Sequence, residues 1–267
     1  MAQIQIKFYI LFSFSWSIGF QGLIIPQSGQ ILSTAGTGIA GDIDPVLNPA
    51  MQKNDHPYFQ FSLNKWLGDV TGGHTIFRWG HDFQKQISIQ SWSVKELELW
   101  GDSPAERPLG SFGVHLASAA FSISHHLNTH YRFGLRVQSN YSHLFTESLW
   151  GLSMDGGIVL PIGSSITFAG TVRNLGFEYS NNLRTTLPIE SGVGLNIKVP
   201  NVNTSLLADI IYNIEHGKEM RFALSTNWKY FNVISGSSIS ENRNAFSLGF
   251  SFNYRSWTVN YGMYFHD

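Results

Sequence analysis

From about residue 57 to the C-terminal end, apolar and polar side chains alternate in short runs, the period-two signature of strands whose two faces meet different surroundings. The clearest run covers residues 245 to 253, where Phe246, Leu248, Phe250 and Phe252 share one face and Ser247, Gly249, Ser251 and Asn253 the other. After a tight Asn253-Tyr254-Arg255-Ser256 turn, Trp257, Val259, Tyr261, Met263 and Phe265 repeat the apolar face. Val193 to Val199, Met220 to Trp228 and residues 130 to 141 follow the same grammar. In the last of these, Arg132, Arg136, Gln138 and Asn140 oppose Tyr131, Phe133, Leu135 and Val137. Two arginines on one face suit a wet interior, because each would cost about 2–4 kcal/mol at the midplane of a lipid face. Turn signals fall at Leu127-Asn128-Thr129, Pro161-Ile162-Gly163, Pro200-Asn201-Val202 and Glu241-Asn242-Arg243-Asn244. The count is roughly a dozen to fourteen strands, each near the ~9–11 residues that a tilted membrane strand requires. Residues 101 to 110 and 176 to 187 are the two longer connections and are expected to be extracellular loops.

The first 22 residues read as a signal peptide: Lys7, then an apolar run from Phe8 to Phe20, then small residues, with cleavage expected near Gly22. An uncleaved anchor is the alternative, as the run approaches the ~18 residues of a spanning helix. Taking Lys7 from the 17 basic residues leaves 16 against 18 acidic ones. No basic face is implied, and a nucleic-acid partner is not expected. The chain has no cysteine, so no disulfide framework holds it.

Charged residues make up 13% of the chain and aromatic ones 14%, with a mean hydropathy of −0.06. Soluble proteins carry about twice that share of charge. A transmembrane β-barrel resolves the mixture, because alternate side chains enter lipid and lumen while the average stays near zero. The expected fold is therefore all-β, an antiparallel transmembrane barrel of about 14 strands, with 12 the smaller count, spanning residues 57–267. Trp66, Trp79, Trp92, Trp100, Trp150, Trp228 and Trp257 fall near the ends of these runs, as interfacial girdles do. Core tryptophans of a soluble β-sandwich are the competing reading.

Residues 23–56 differ. Gly29, Gly36, Gly38 and Gly41, followed by Asp42-Ile43-Asp44-Pro45-Val46-Leu47-Asn48-Pro49-Ala50, show no sustained alternation, and such a stretch does not make a membrane strand. It is expected inside the barrel or at its periplasmic mouth. Thr34-Ala35-Gly36-Thr37-Gly38-Ile39-Ala40-Gly41-Asp42 with Asn48-Pro49-Ala50 resembles the N-terminal region of the FadL-like outer-membrane superfamily, and its PorV/PorQ branch in particular. Ala169-Gly170-Thr171-Val172-Arg173-Asn174-Leu175-Gly176, Leu187-Pro188 before Gly192, and Tyr261-Gly262 before His266-Asp267 follow in that branch's order. The resemblance implies a fourteen-stranded barrel whose N-terminal segment folds inward as a plug, with Asn48, Pro49 and Ala50 in the plug motif. An ordinary asparagine-proline turn is the plainer reading of that triplet. Members of the branch continue past the histidine element with one further strand, so strand number and closure are open at this point.

No constellation in the sequence carries catalysis. His125 and His126 with His130 lack an Asp, Glu or Cys at ligand spacing. No Gly-x-Ser-x-Gly elbow is present, and Gly156-Gly157 and Gly192-Val193-Gly194 open no helix, so they read as small lumen-facing positions. No enzyme activity, cofactor or metal is expected. The resemblance implies a component of type IX secretion in a Gram-negative outer membrane, its partners being membrane lipid and secretion proteins or exported cargo. A FadL-like passive channel for hydrophobic small molecules is the alternative, and a soluble adhesion sandwich a further one. The Ser, Asn, Gln, Arg and Gly of the lumen faces weigh mildly against an apolar channel.

Overall fold

The computed structural model describes residues 23, 25–51, 57–66, 69–99, 107–128, 131–180, 183–241 and 243–266. A five-residue helix, α1 (Gly29–Ser33), and a 3-10 turn (Pro49–Met51) precede the sheet. The strands are β1 (Tyr58–Lys65), β2 (Thr71–Trp79), β3 (Phe83–Leu99), β4 (Gly110–Asn128), β5 (Tyr131–Leu144), β6 (Glu147–Ile162) and β7 (Ile166–Ser180). They continue as β8 (Leu183–Thr186), β9 (Glu190–Val199), β10 (Thr204–Asn213), β11 (Gly217–Trp228), β12 (Phe231–Ser240), β13 (Asn244–Tyr254) and β14 (Trp257–His266).

Neighbours in sequence pair antiparallel throughout the sheet. One irregularity sets the count. β7 pairs with β8 through Phe177–Ser180 and with β9 through Ile166–Arg173, on the same edge. β8 and β9 are thus one strand interrupted at Leu187-Pro188-Ile189, where proline cannot donate to the ladder. Fourteen segments therefore fill thirteen positions, which fits the expected range. With an odd number of positions, β1 and β14 run in the same direction. Among the described residues no ladder joins them, but the Trp66 and Tyr264 rings meet across that seam at 5.5 Å.

The faces follow the alternation. On β5, Phe133, Leu135 and Val137 are exposed outside, while Arg132, Arg136, Gln138 and Asn140 are buried inside. β11 and β13 repeat the pattern with Met220, Phe222 and Leu224, then Phe246, Leu248 and Phe250, outside. So large an apolar outer surface is unfit for water and fit for lipid. A soluble sandwich would bury this face, so that reading is excluded. No helix among the described residues is long and apolar enough to cross a membrane; the strands cross it.

Three expectations are corrected. β3 to β7 are 17, 19, 14, 16 and 15 residues long, beyond the 9–11 expected, and they form a rim taller than the bilayer. The exterior turns polar there, as at Lys95 and Ser148. Residues 176 to 187 are mostly the β7–β8 hairpin and not an open loop; residues 101–106 of the other expected loop, and Trp100 before it, lie outside the described residues. Trp92 points into the lumen at 2% exposure, whereas Trp150, Trp228 and Trp257 stand outside near strand ends. The parity of β3, read from its inward Gln84, Gln86, Ser88 and Gln90, fixes Trp92 inward.

Leu135→Arg places a charge in the middle of the apolar belt. Refolding into lipid vesicles across a urea series is expected to show a loss of about 2–4 kcal/mol.

Candidate functional site

The lumen is occupied by residues 25–51, which wrap the inner wall as a girdle. α1 lies against β12 to β14 and the 3-10 turn against β4 to β6. Between them the wall partners run backwards through the sheet as the girdle runs forwards. Gly29 packs on Gly262 of β14, Ser33 on Gly249 of β13, and Thr34 on Gly236 of β12. Ile39 lies over Gly192 and Gly194 of β9, Asn48 over Gly157 of β6, and Pro49 over Gly134 of β5. A Cβ at any of these seven wall positions would collide with the girdle. The inward glycines form a track. Glycine is needed there for close approach of two backbones, not for its freedom at φ.

Polar side chains fasten the girdle where the track has no glycine. Asp209 of β10 accepts from the backbone N–H groups of Gly38 at 2.6 Å and Ile39 at 3.1 Å. Arg221 of β11 donates to Gly36 O at 3.2 Å and pairs with Glu219 at 2.7 Å. Ser247 Oγ donates to Ser33 O at 2.8 Å. Arg173 donates to Val46 O at 3.4 Å and pairs with Glu190. The local shape comes from the glycine-rich run: Ala35, Gly36 and Gly38 have φ of 52°, 75° and 144°. A left-handed cap at Gly36, whose N–H reaches Ile31 O at 2.9 Å, ends α1. Two successive N–H groups are thereby left pointing at the Asp209 carboxylate.

Asn48, Pro49 and Ala50 sit on the opposite wall from α1. Asn48 Nδ2 donates to Ile39 O at 3.0 Å and lies 3.4 and 3.5 Å from Ile158 O and Gly170 O; its Oδ1 accepts from Ala50 N at 3.0 Å. One amide thus ties the girdle to itself and to β6 and β7. Ala50 and Met51 pack with Ile39, Ala40, Val159 and Ile211. Across the bore, Ile31 meets Val46, Leu47 and Ile43 in an apolar knot, and Ser28 Oγ donates to Asp44 at 2.8 Å beside it. The two ends of the girdle therefore close on each other. Gln27 O accepts from Asn64 of β1 at 2.8 Å while Gly29 touches β14, so the girdle also spans the seam from inside.

Arg173 stood in the sequence only within the Ala169–Gly176 motif and Ser247 only as a polar strand position, and Asp209 and Arg221 were not singled out as site residues. Their partners lie up to 214 residues away, and the only signal available was their inward parity. His125 stacks on Phe83 at 4.1 Å and reaches Asp82 O at 3.1 Å. His130 lies outside the described residues, and among those described no three potential ligands converge on a metal.

No protein-family model matches the sequence, and no curated protein matches it. Among solved structures, the chain is similar to the CymD monoaromatic hydrocarbon channel, with a TM-score of 0.66, 9% identity, and coverage of 91% of this chain and 93% of that one. It also aligns with the KdgM porin in complex with disordered oligogalacturonate, at a TM-score of 0.44 and 9% identity over 74% of this chain and 98% of the porin. Together with the apolar belt, the shared fold makes this chain an outer-membrane β-barrel.

Gly236→Val is expected to push the girdle off β12 and lower the midpoint of the heat-induced gel shift, whereas Gly156→Ala, which meets open space, leaves it unchanged. Asp209→Ala removes two charge-assisted bonds and is expected to cost about 2–3 kcal/mol in denaturant unfolding.

Proposed function

We propose that this protein is a passive outer-membrane channel for small hydrophobic or amphipathic molecules, held shut by the girdle. The observation that carries the reading is the knot of Ile31, Ile43, Val46 and Leu47 inside a barrel whose wall is largely polar. A girdle built only for wall stability has no need of apolar side chains meeting across the bore. The wall itself is polar at Gln84, Gln86, Ser88, Arg136 and Gln138, but Trp92, Val94, Val114 and Leu149 face inward at the tall rim. An apolar solute would meet this patch first and the knot next. The rim carries the longest connections, so it is assigned to the cell exterior. The fold neighbour named a monoaromatic hydrocarbon channel supports this class of solute by analogy of fold alone.

The resemblance to the PorV/PorQ branch carries the type IX secretion reading without help from the lumen, and the apolar knot favours the channel. Passage requires the knot to part while the glycine track keeps the girdle on the wall, since α1 and the 3-10 turn are anchored separately.

Replacing Ile31, Val46 and Leu47 together by Ser tests the gate. Conductance across planar bilayers is expected to rise from near-closed to steady openings, with the heat-induced gel shift retained. A folded triple variant as silent as the parent would overturn the gating assignment.

A further inference from the structure

The rim end of β7 holds a buried carboxylate, Glu178, with no counter-charge among the described side chains. Glu178, Gln90, Trp92, Asn140, Ser142 and Leu23 line a cavity of about 10 Å³. All but Leu23 are at least nine-tenths buried wall residues. Ser142 Oγ donates to Glu178 Oε1 at 3.4 Å, but Glu178 Oε2 and Gln90 Oε1 accept from nothing. No lysine, arginine or histidine among the described residues pairs with Glu178. The indole N–H of Trp92, also without a partner, is a neutral donor and cannot balance the charge. A lone buried carboxylate is costly, and the cost falls when it takes up a proton or when a cation with N–H donors reaches it.

Leu23 is the one residue of this cavity that comes from the segment ahead of the girdle and not from the wall. The sequence reads as a leader expected to end near Gly22. Hydrolysis of the Gly22–Leu23 peptide bond, by water on a leader peptidase, leaves a carboxylate on the departing Gly22 and a free amine on Leu23, which takes up a proton. We propose that Leu23 is the mature N terminus and that its α-ammonium is the counter-ion of Glu178, with Gln90 Oε1 as a second acceptor. An ammonium offers three donors and a positive charge, whereas the amide of an uncleaved chain offers one donor and none. Removal of the leader thereby completes the site, and the girdle is seated fully only in the processed chain.

This inference rests on export with leader removal, and its first measurement tests that step by itself. The full-length chain is produced in a Gram-negative host, and the outer-membrane protein is sequenced from its N terminus; Leu23 is expected, and any other first residue overturns the assignment at the cleavage step. Mature chains beginning at Leu23 or at Gly22 are then refolded, each with and without Glu178→Gln. Moving the amine by one residue is expected to lower the heat-shift midpoint of the Glu178 barrel by several degrees and to leave the Glu178→Gln barrel unchanged. In the same preparations, 13C reductive methylation of the folded protein is expected to label the α-amine several-fold more slowly with Glu178 than with Gln. Equal shifts in both backgrounds, or equal labelling rates, overturn the ion pair even where Leu23 is the first residue.

Discussion

Backbone hydrogen bonding in a medium without water governs this structure before any side chain does. Within lipid, each N–H and C=O must find its partner inside the protein, and the available answers are a helix or a closed sheet. This chain takes the second, and its consequences follow in order. Strands force alternate side chains to opposite faces. Lipid then selects Phe, Leu, Ile and Val for the outer face, and the inner face is left to Ser, Asn, Gln and Arg. The fold is a core turned inside out, with its apolar layer in contact with the solvent it matches.

A lumen so lined raises a second problem, since polar groups facing an enclosed space need partners as much as backbone does. The wall answers partly with its own side chains, as in Arg136 to Gln138 to Asn140. The girdle answers the rest with backbone carbonyls and amides, presented to Arg173, Arg221, Ser247 and Asp209. Glycine makes both possible. Where the wall omits a side chain, the girdle's main chain lies on the sheet; where it keeps one, the side chain reaches into the girdle. The girdle then turns its own apolar residues inward, so a small hydrophobic cluster reappears at the centre of a polar tube. The apolar cluster is thus made by side chains of the girdle, whereas attachment to the wall falls largely on its main chain.

The seam between β1 and β14 connects the two problems. Strands running in the same direction meet there at Trp66 and Tyr264, and the girdle touches β1 through Gln27 and β14 through Gly29. The segment that fills the lumen is therefore also the one that bridges the ends of the sheet. Filling and closure are coupled through a few residues before α1.

The alternation of residues 245 to 253 and its repeats determined strand, face and solvent, because period two is a local property of the backbone and lipid is uniform on one side. The glycine and proline content of residues 23–56 likewise excluded a membrane strand there. Other features depended on distance. That Gly236 lies under Thr34, or that Asp209 receives Gly38, is written in no local pattern, since these partners meet only when the sheet curls round the girdle. Interruption of one strand at Pro188 turned fourteen segments into thirteen positions, a matter of register that composition does not encode. Trp92 stood among the girdle tryptophans by its place in sequence and points into the lumen by its parity. Sequence settled what each face must tolerate; only the closed tertiary structure decided which groups, far apart along the chain, would share the space inside.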